Sequence, residues 1–232
     1  MKYIAIIPAR KGSKRIKNKN IIKLNNKKLI DYTIDAAVKC KKIYKIVVST
    51  NIKKLLKRKN TKKIIYLKRS ELLSKDNTTT EKVIIDVVKK NLNIFFKSNI
   101  VILQATSPLR NSLDIYKSIK KFEDGNYDSL FSAHTEKFYI WKYFGKKIKS
   151  ISYNPKKRKR SQFLKENFFE NGAIYISKTK NFLKKKCRLF NKIGVYEMPK
   201  LRSLEIDEKS DLDLINFILK KNMSTDHYII NK

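Results

Sequence analysis

The stretch IAIIPARKGSKRIKNKN, residues 4–20, decides the fold. Ile4, Ala5, Ile6 and Ile7 form a short, unbroken apolar run, the pattern of a buried strand. The run breaks at Pro8. The chain then opens into a loop with one Gly, one Ser and six Lys or Arg residues between Ala9 and Asn20. A strand feeding a small cationic loop is a place where backbone N–H groups and fixed charges converge on phosphates. A nucleoside triphosphate is therefore the first ligand to consider. The loop is not a Walker loop, G-x-x-x-x-G-K-[ST], nor the G-x-G-x-x-G of a dinucleotide fold. With a single Gly12, the spacing alone fits an ordinary basic loop equally well.

Working outward, the chain alternates apolar runs with amphipathic stretches. Strands are expected at 3–8, 45–50, 64–67 and 99–103. Helices are expected at 29–40, 79–92 and 112–123. The first places Leu29, Ile30, Ile34, Ala37 and Val38 on one stripe; the second repeats Val83, Val87 and Val88, and the third Ile115, Ile119 and Phe122. Strand–helix alternation predicts an α/β fold, a Rossmann-like, mostly parallel sheet flanked by helices with right-handed crossovers. Ligands in such sheets sit beyond the carboxyl ends of the strands, where the loops 9–20 and 104–110 would both fall. From about 127 the rhythm changes to short aromatic pieces, which predict an antiparallel hairpin and an extended arm before the sheet resumes at 173–176. A single domain over 1–222 and a frayed tail at 223–232 are expected.

The 232 residues suffice for one large domain, and 41% hydrophobic content fits a globular chain. No apolar run approaches the ~18–20 residues that span a bilayer. The N-terminus lacks a signal-peptide core, so a cytoplasmic location and no membrane partner are expected. Cys40 and Cys187 are too few for a disulfide framework or a zinc site, and both read as buried, inert thiols. His134 and His227 are the two histidines, neither in a metal-ligand spacing, and no catalytic histidine dyad or triad is expected.

The net charge is +36. Clustered cations bind nucleic acids by releasing counterions. Here, however, 47 of the 56 basic residues are Lys and they run along the whole chain, whereas specific readers favour the planar fork of Arg. The one dense cluster is KKRKR at 156–160. Compositional bias is the better explanation, and no specific nucleic-acid partner is expected.

Several blocks, in order, resemble the CMP-sialic acid synthetases (acylneuraminate cytidylyltransferases). They are IPARKGSKRIKNKN at 7–20, LQATSPLR at 103–110, ENGAIYI at 170–176 and SLEIDEKSDLDL at 203–214. The resemblance runs to about residue 220. It implies a fold of the nucleotide-diphospho-sugar transferase type, with a dimerisation excursion at about 136–170 and a homodimer. It also implies transfer of CMP from CTP, with Mg²⁺, to a nine-carbon α-keto acid sugar. For the triphosphate, the matching positions are Ala9, Arg10, Gly12, Ser13, Lys19 and Asn20, with Arg10 and Lys19 also catalytic. The segment RSELLSKDNTTT, 69–80, resembles the family's base-binding block and points to Arg69 and Thr80, with Asp76 structural.

The resemblance implies two magnesium-binding acids where this chain has Glu205 and Asp207. The first is longer by a methylene than the family's Asp, which makes Asp207 the firmer ligand. Read alone, Ser203 or Asp207 would equally serve as a helix cap. For the acceptor, the resemblance points to Gln104, Lys142, Tyr175 and Arg160, with Arg110 structural. Tyr175 by itself reads as a core aromatic equally well. Ser161 stands where the family carries a second Arg, so Arg160 is the candidate for the sugar carboxylate. Lys19-Asn20 differs from the Lys-Pro of the related Kdo-activating enzymes, leaving sialic, legionaminic and pseudaminic acids as acceptors. The alternative is a degenerate synthetase fold that acts as a basic nucleic-acid or polyanion binder.

Overall fold

The first strand, β1 (Lys2–Ala9), is flanked on both edges and covered on both faces. Its residues alternate between two cores. Tyr3, Ala5, Ile7 and Ala9 enter one, Ile4 and Ile6 the other. This is why the run is apolar throughout instead of alternating with polar residues. Pro8 does not end the strand, which continues to Ala9 because parallel pairing with the fourth strand holds Pro8 against Ser49 and Ala9 against Thr50.

The computed structural model describes residues 1–13 and 15–221, and the expected tail at 223–232 lies outside them. After β1 come a two-residue pair, β2 (Lys23–Leu24) and β3 (Lys27–Lys28), then α1 (Leu29–Lys39), β4 (Ile43–Thr50), α2 (Lys53–Leu56) and β5 (Ile64–Lys68). Next are α3 (Thr80–Lys89), α4 (Leu92–Phe95), β6 (Ser98–Leu103), α5 (Ser112–Asp124) and β7 (Ser129–Glu136). A hairpin of β8 (Trp141–Phe144) and β9 (Lys147–Ser150) precedes β10 (Asn167–Lys178), α6 (Thr179–Lys185), β11 (Ile193–Glu197) and α7 (Lys209–Lys220).

The main sheet has seven strands in the order β11-β7-β10-β6-β1-β4-β5. All neighbours are parallel except β10, which runs antiparallel to both β6 and β7. Helices α1 and α5 supply Ile30, Ile34, Ile115, Ile119 and Phe122 to the core on one face; α3 supplies Ile84, Val87 and Val88 on the other. Val38 departs from the expected stripe and is exposed. The expected 79–92 helix is interrupted, because the chain turns at Lys90 and Asn91 before α4.

The chain leaves β1 for β4 and β5, then crosses back to β6 on β1's other edge. This order reversal opens a crevice beyond the carboxyl ends of β1 and β6. Because β10 runs the opposite way, its amino-terminal half arrives at the same edge. It starts at Asn167, earlier than expected, since Asn167–Glu170 extend the ladder against β7 residues 133–136. No helix among the described residues is long and apolar enough to cross a membrane.

Candidate active site

The loop after β1 is tied back on itself. Arg10 Nη1 donates to the Gly12 carbonyl at 3.0 Å and pairs with Asp76 Oδ1 at 2.7 Å. Asn20 Nδ2 donates to the Arg10 carbonyl at 2.9 Å, and Lys11 N–H donates to Asn51 Oδ1 at 2.8 Å. Gly12 adopts φ +89°, a turn that a side chain would resist. Ile16 is buried in a third apolar cluster with Leu24, Leu109 and Ile206, and this anchors the far end of the loop. Arg10, Gly12, Ser13 and Asn20 are thus brought together over the end of β1. Lys14 lies outside the described residues.

Lys19 joins this loop to the chain's last segment. Its Nζ donates to the Ile206 carbonyl at 2.7 Å and to Asp207 Oδ1 at 2.9 Å. Arg15 Nη1 lies 3.7 Å from Asp207 Oδ2. Ile206 is fully buried and its N–H donates to the Thr106 carbonyl, which fixes the segment against the loop after β6. Helix capping does not use Asp207. Asp211 Oδ2 accepts from the N–H groups of both Asp207 and Glu208 at 2.8 Å. Ser203 instead bonds Asn171 and the Pro199 carbonyl.

Glu205 turns inward, toward Gly172 and Gln104. Its Oε1 is buried and has no hydrogen-bond partner. Burial, with the Asp207 carboxylate second, pushes its pKa up to about 7; Lys19 and Arg110 pull the other way. Two carboxylates on one segment, one holding a buried oxygen that no protein donor satisfies, are a hard-oxygen set suited to a small divalent cation. Among the described residues no group of three or more His, Cys, Asp or Glu side chains is poised to hold an ion, so this pair needs oxygens from a ligand to complete a shell.

The shift has a sign that can be checked. A carboxyl whose folded pKa lies above its usual 4.5 favours the fold while protonated, and that contribution is lost as pH rises through about 7. In chelator, Glu205→Gln should therefore be as stable as the parent near pH 4.5 and about 1–2 kcal/mol more stable at pH 8, after discounting for partial solvation. Denaturant midpoints of the two proteins at both pH values measure it. Equal midpoints at pH 8 would show that the carboxylate is not strained.

The remaining expected residues divide into two groups. Arg69 is buried beneath the end of β4, with Nη2 on the Ser49 carbonyl at 3.0 Å and Nε on Ser49 Oγ at 3.3 Å. Burial and the nearby Arg10 charge lower its pKa to about 10. Thr80 opens α3, whose N-terminus Thr79 caps by accepting from Lys82 N–H. Gln104 follows β6, its carbonyl accepting from Arg110 Nη1 at 3.1 Å. All three sit at the crevice edge. Tyr175 lies lower, on β10, with its ring in the core, its hydroxyl on Glu170 and the Arg188 guanidinium 4.8 Å above the ring. Lys142 and Arg160 are not brought to this edge; both stand exposed on the 136–170 excursion. Asp76 is Arg10's ion-pair partner, and Arg110 is a buried clamp that also bonds the Ala173 carbonyl and Thr33 Oγ1. Cys40 is buried as expected, but Cys187 is exposed, because it falls in the turn that follows the left-handed Lys186 at the end of α6.

Three supporting groups are not apparent in the sequence pattern. Asn171 Oδ1 accepts from Ser132 Oγ at 2.6 Å and from Ala173 N–H, while its Nδ2 donates to Ser203 Oγ at 2.8 Å. Asp114 accepts from Arg202 Nε at 2.9 Å and Nη2 at 3.0 Å, an ion pair wholly inside the protein. Gly172 is the third. A glycine within a strand signals a bulge or a close approach, and that was the available clue for it.

A family profile described as Cytidylyltransferase matches residues 4–230. The N-acylneuraminate cytidylyltransferase of Streptococcus agalactiae serotype V is 32% identical over 219 residues, covering 91% of this chain and 52% of that protein. The pseudaminic acid cytidylyltransferase of Campylobacter jejuni is 28% identical over 230 residues, covering 96% of this chain and 98% of that protein. The chain therefore spans about half the length of the streptococcal relative and nearly all of the Campylobacter one. In fold, it resembles a CMP:2-keto-3-deoxy-manno-octonic acid synthetase solved with CTP, at TM-score 0.66, 14% identity and coverage of 96% of this chain and 100% of that one. A 4-diphosphocytidyl-2C-methyl-D-erythritol synthase from Anaerococcus prevotii matches at TM-score 0.67 and 15% identity, covering 94% of this chain and 98% of that one. With a profile match over almost its full length, placed on a crevice built of loop, acid pair and strand ends, the chain belongs to the cytidylyltransferase family.

Proposed function

We propose that this chain transfers CMP from CTP to the anomeric hydroxyl of a nine-carbon α-keto acid sugar, releasing pyrophosphate. The observation that carries the reading is the Lys19–Asp207 bond, which links the cationic loop to the acid pair 188 residues away. Such chemistry asks little covalent work of the protein; positioning and electrostatics dominate. Arg10 and Lys19 hold the triphosphate, as a bidentate fork and a point charge respectively, with Asn20 and the backbone at Gly12–Ser13 beside them. Thr80 and the backbone of Ala9 face the cytidine side, with Arg69 buried behind them on Ser49. Asp207 and Glu205 hold Mg²⁺, which when bound screens the α-phosphate. Asp207 is paired with Lys19 and Asp76 with Arg10. On binding, Arg10 and Lys19 would turn from these carboxylates to the phosphates, leaving Asp207 free to act with Glu205 as a ligand of the ion.

Gln104 forms the acceptor side; Tyr175, expected beside it, is buried with its ring in the core and its hydroxyl on Glu170, and takes no part in holding the sugar. The sugar hydroxyl oxygen bonds the α-phosphorus as the bond to the bridging oxygen breaks; the hydroxyl proton passes to solvent and pyrophosphate leaves. Lys142 and Arg160 stand on an arm that exposes Trp141, Tyr143, Phe144 and Ile148. An exposed apolar set of this size favours a homodimer in which the arm reaches the other subunit's crevice. The test is pyrophosphate release with CTP and Mg²⁺ over a panel of sialic, legionaminic and pseudaminic acids. Release with one of them, absent when CTP, metal or sugar is omitted, is expected. No release with any acid of the panel overturns the proposal.

A further inference from the structure

The ladder between β10 and β7 is regular from Asn167 to Glu170 and again from Tyr175, and slips between them. The slip is built, not loose. Asn171 Oδ1 and Ser132 Oγ close the gap, with Ile174 N–H donating to Ser132 Oγ at 2.8 Å. From the same bulge, Asn171 Nδ2 holds Ser203, two residues before Glu205. Gly172 sits at the crest with φ +62°. A Cβ added there would overlap Glu205 Oε1, come within 3.1 Å of its Cδ and lie 3.4 Å from Gln104 Nε2.

Backbone conformation alone does not demand glycine at 172. Among the described residues seven others that are not glycine have positive φ, five of them Asn and two Lys, so this chain routinely places side chains in that region. Of the three glycines with positive φ, Gly172 is the one whose missing side chain leaves room for a carboxylate. Bulges beside active sites commonly re-aim a neighbouring side chain. We infer that the β10 bulge is a seat for the first metal acid: Gly172 is a positioning residue that lets the long Glu205 side chain fold in beside Gln104, with Oε1 presented to the ion. The seat accommodates the methylene by which Glu205 exceeds an aspartate. This inference rests on the proposed metal role of Glu205 and Asp207.

Mn²⁺ serves as probe, and binding is the fall in its free concentration, read by electron paramagnetic resonance, when protein is added to the same Mn²⁺ and CTP mixture. The parent chain should bind Mn²⁺. Gly172→Ala should weaken that binding by at least tenfold. Gly172→Asn, which suits the left-handed backbone but still carries a Cβ, should weaken it similarly while melting closer to the parent, so loss of fold in the alanine variant does not decide the outcome. In a Glu205→Ala background, either Gly172 substitution should add less than about twofold. Unchanged Mn²⁺ binding in Gly172→Asn, or full additivity with Glu205→Ala, overturns the positioning role. Absence of Mn²⁺ binding by the parent overturns the metal assignment itself, a separate failure.

Discussion

Asp207→Ala is expected to lower pyrophosphate release by about 10³-fold, the scale on which a preorganised electrostatic group contributes to a transition state. The fold should hardly change. The side chain is about half exposed, with a side-chain accessibility of 52%. Its two partners, Lys19 and Arg15, are cations on the opposing loop. Lys19 keeps the Ile206 carbonyl, and Asp211 continues to cap α7's first turn. Surface ion pairs of this kind contribute about 0–1 kcal/mol. The melting temperature should therefore stay within a few degrees while turnover disappears. A variant retaining a tenth or more of the parent rate would remove Asp207 from the proposed metal site.

Asp114→Ala should act in the opposite sense, on stability first. Asp114 has no solvent exposure, and it carries two loads. It closes the cap of α5, accepting from Asn111 N–H at 3.1 Å while its own N–H donates to Asn111 Oδ1 at 2.9 Å. It also neutralises Arg202, whose side chain is 5% exposed. Truncation leaves a guanidinium in the interior without its carboxylate, and one-sided breaks of buried pairs cost about 3–5 kcal/mol. Against a total stability of about 5–15 kcal/mol this is a large fraction. A fall in melting temperature of about 10 °C or more is expected by thermal denaturation. Arg202 lies three residues before Glu205, so metal binding should weaken as well. Melting within two degrees of the parent would show that the pair contributes little.

Much of the architecture is legible in periodicity. The apolar run at 4–7, the β4 and β6 segments and the amphipathic stretches at 29–40 and 112–123 each declare the face they bury, and burial is what selects strand or helix there. The failures have local causes. The strand expected at 3–8 runs one residue further at each end, because its pairing with β6 and β4 continues to Lys2 and Ala9. Cys187 is outside because a left-handed residue turned the chain before it.

The site was legible in part. Arg10, Lys19 and Asp207 stand out because charge type and motif order point to them. Asn171, Gly172, Asp114 and Arg202 do not, since small polar residues and single charges are common in this chain.

By itself, the sequence determined the α/β alternation, the cationic loop at the end of β1 and the acids before α7. Only the tertiary structure decided which of these meet: Lys19 with Asp207, Glu205 with Gly172, Arg202 with Asp114. The physical reason is that periodicity records whether a residue faces water or core, whereas its partner is set by strand order and by the reversal of β10. Those arrangements bring together residues separated by 188 positions in the first case and 88 in the last.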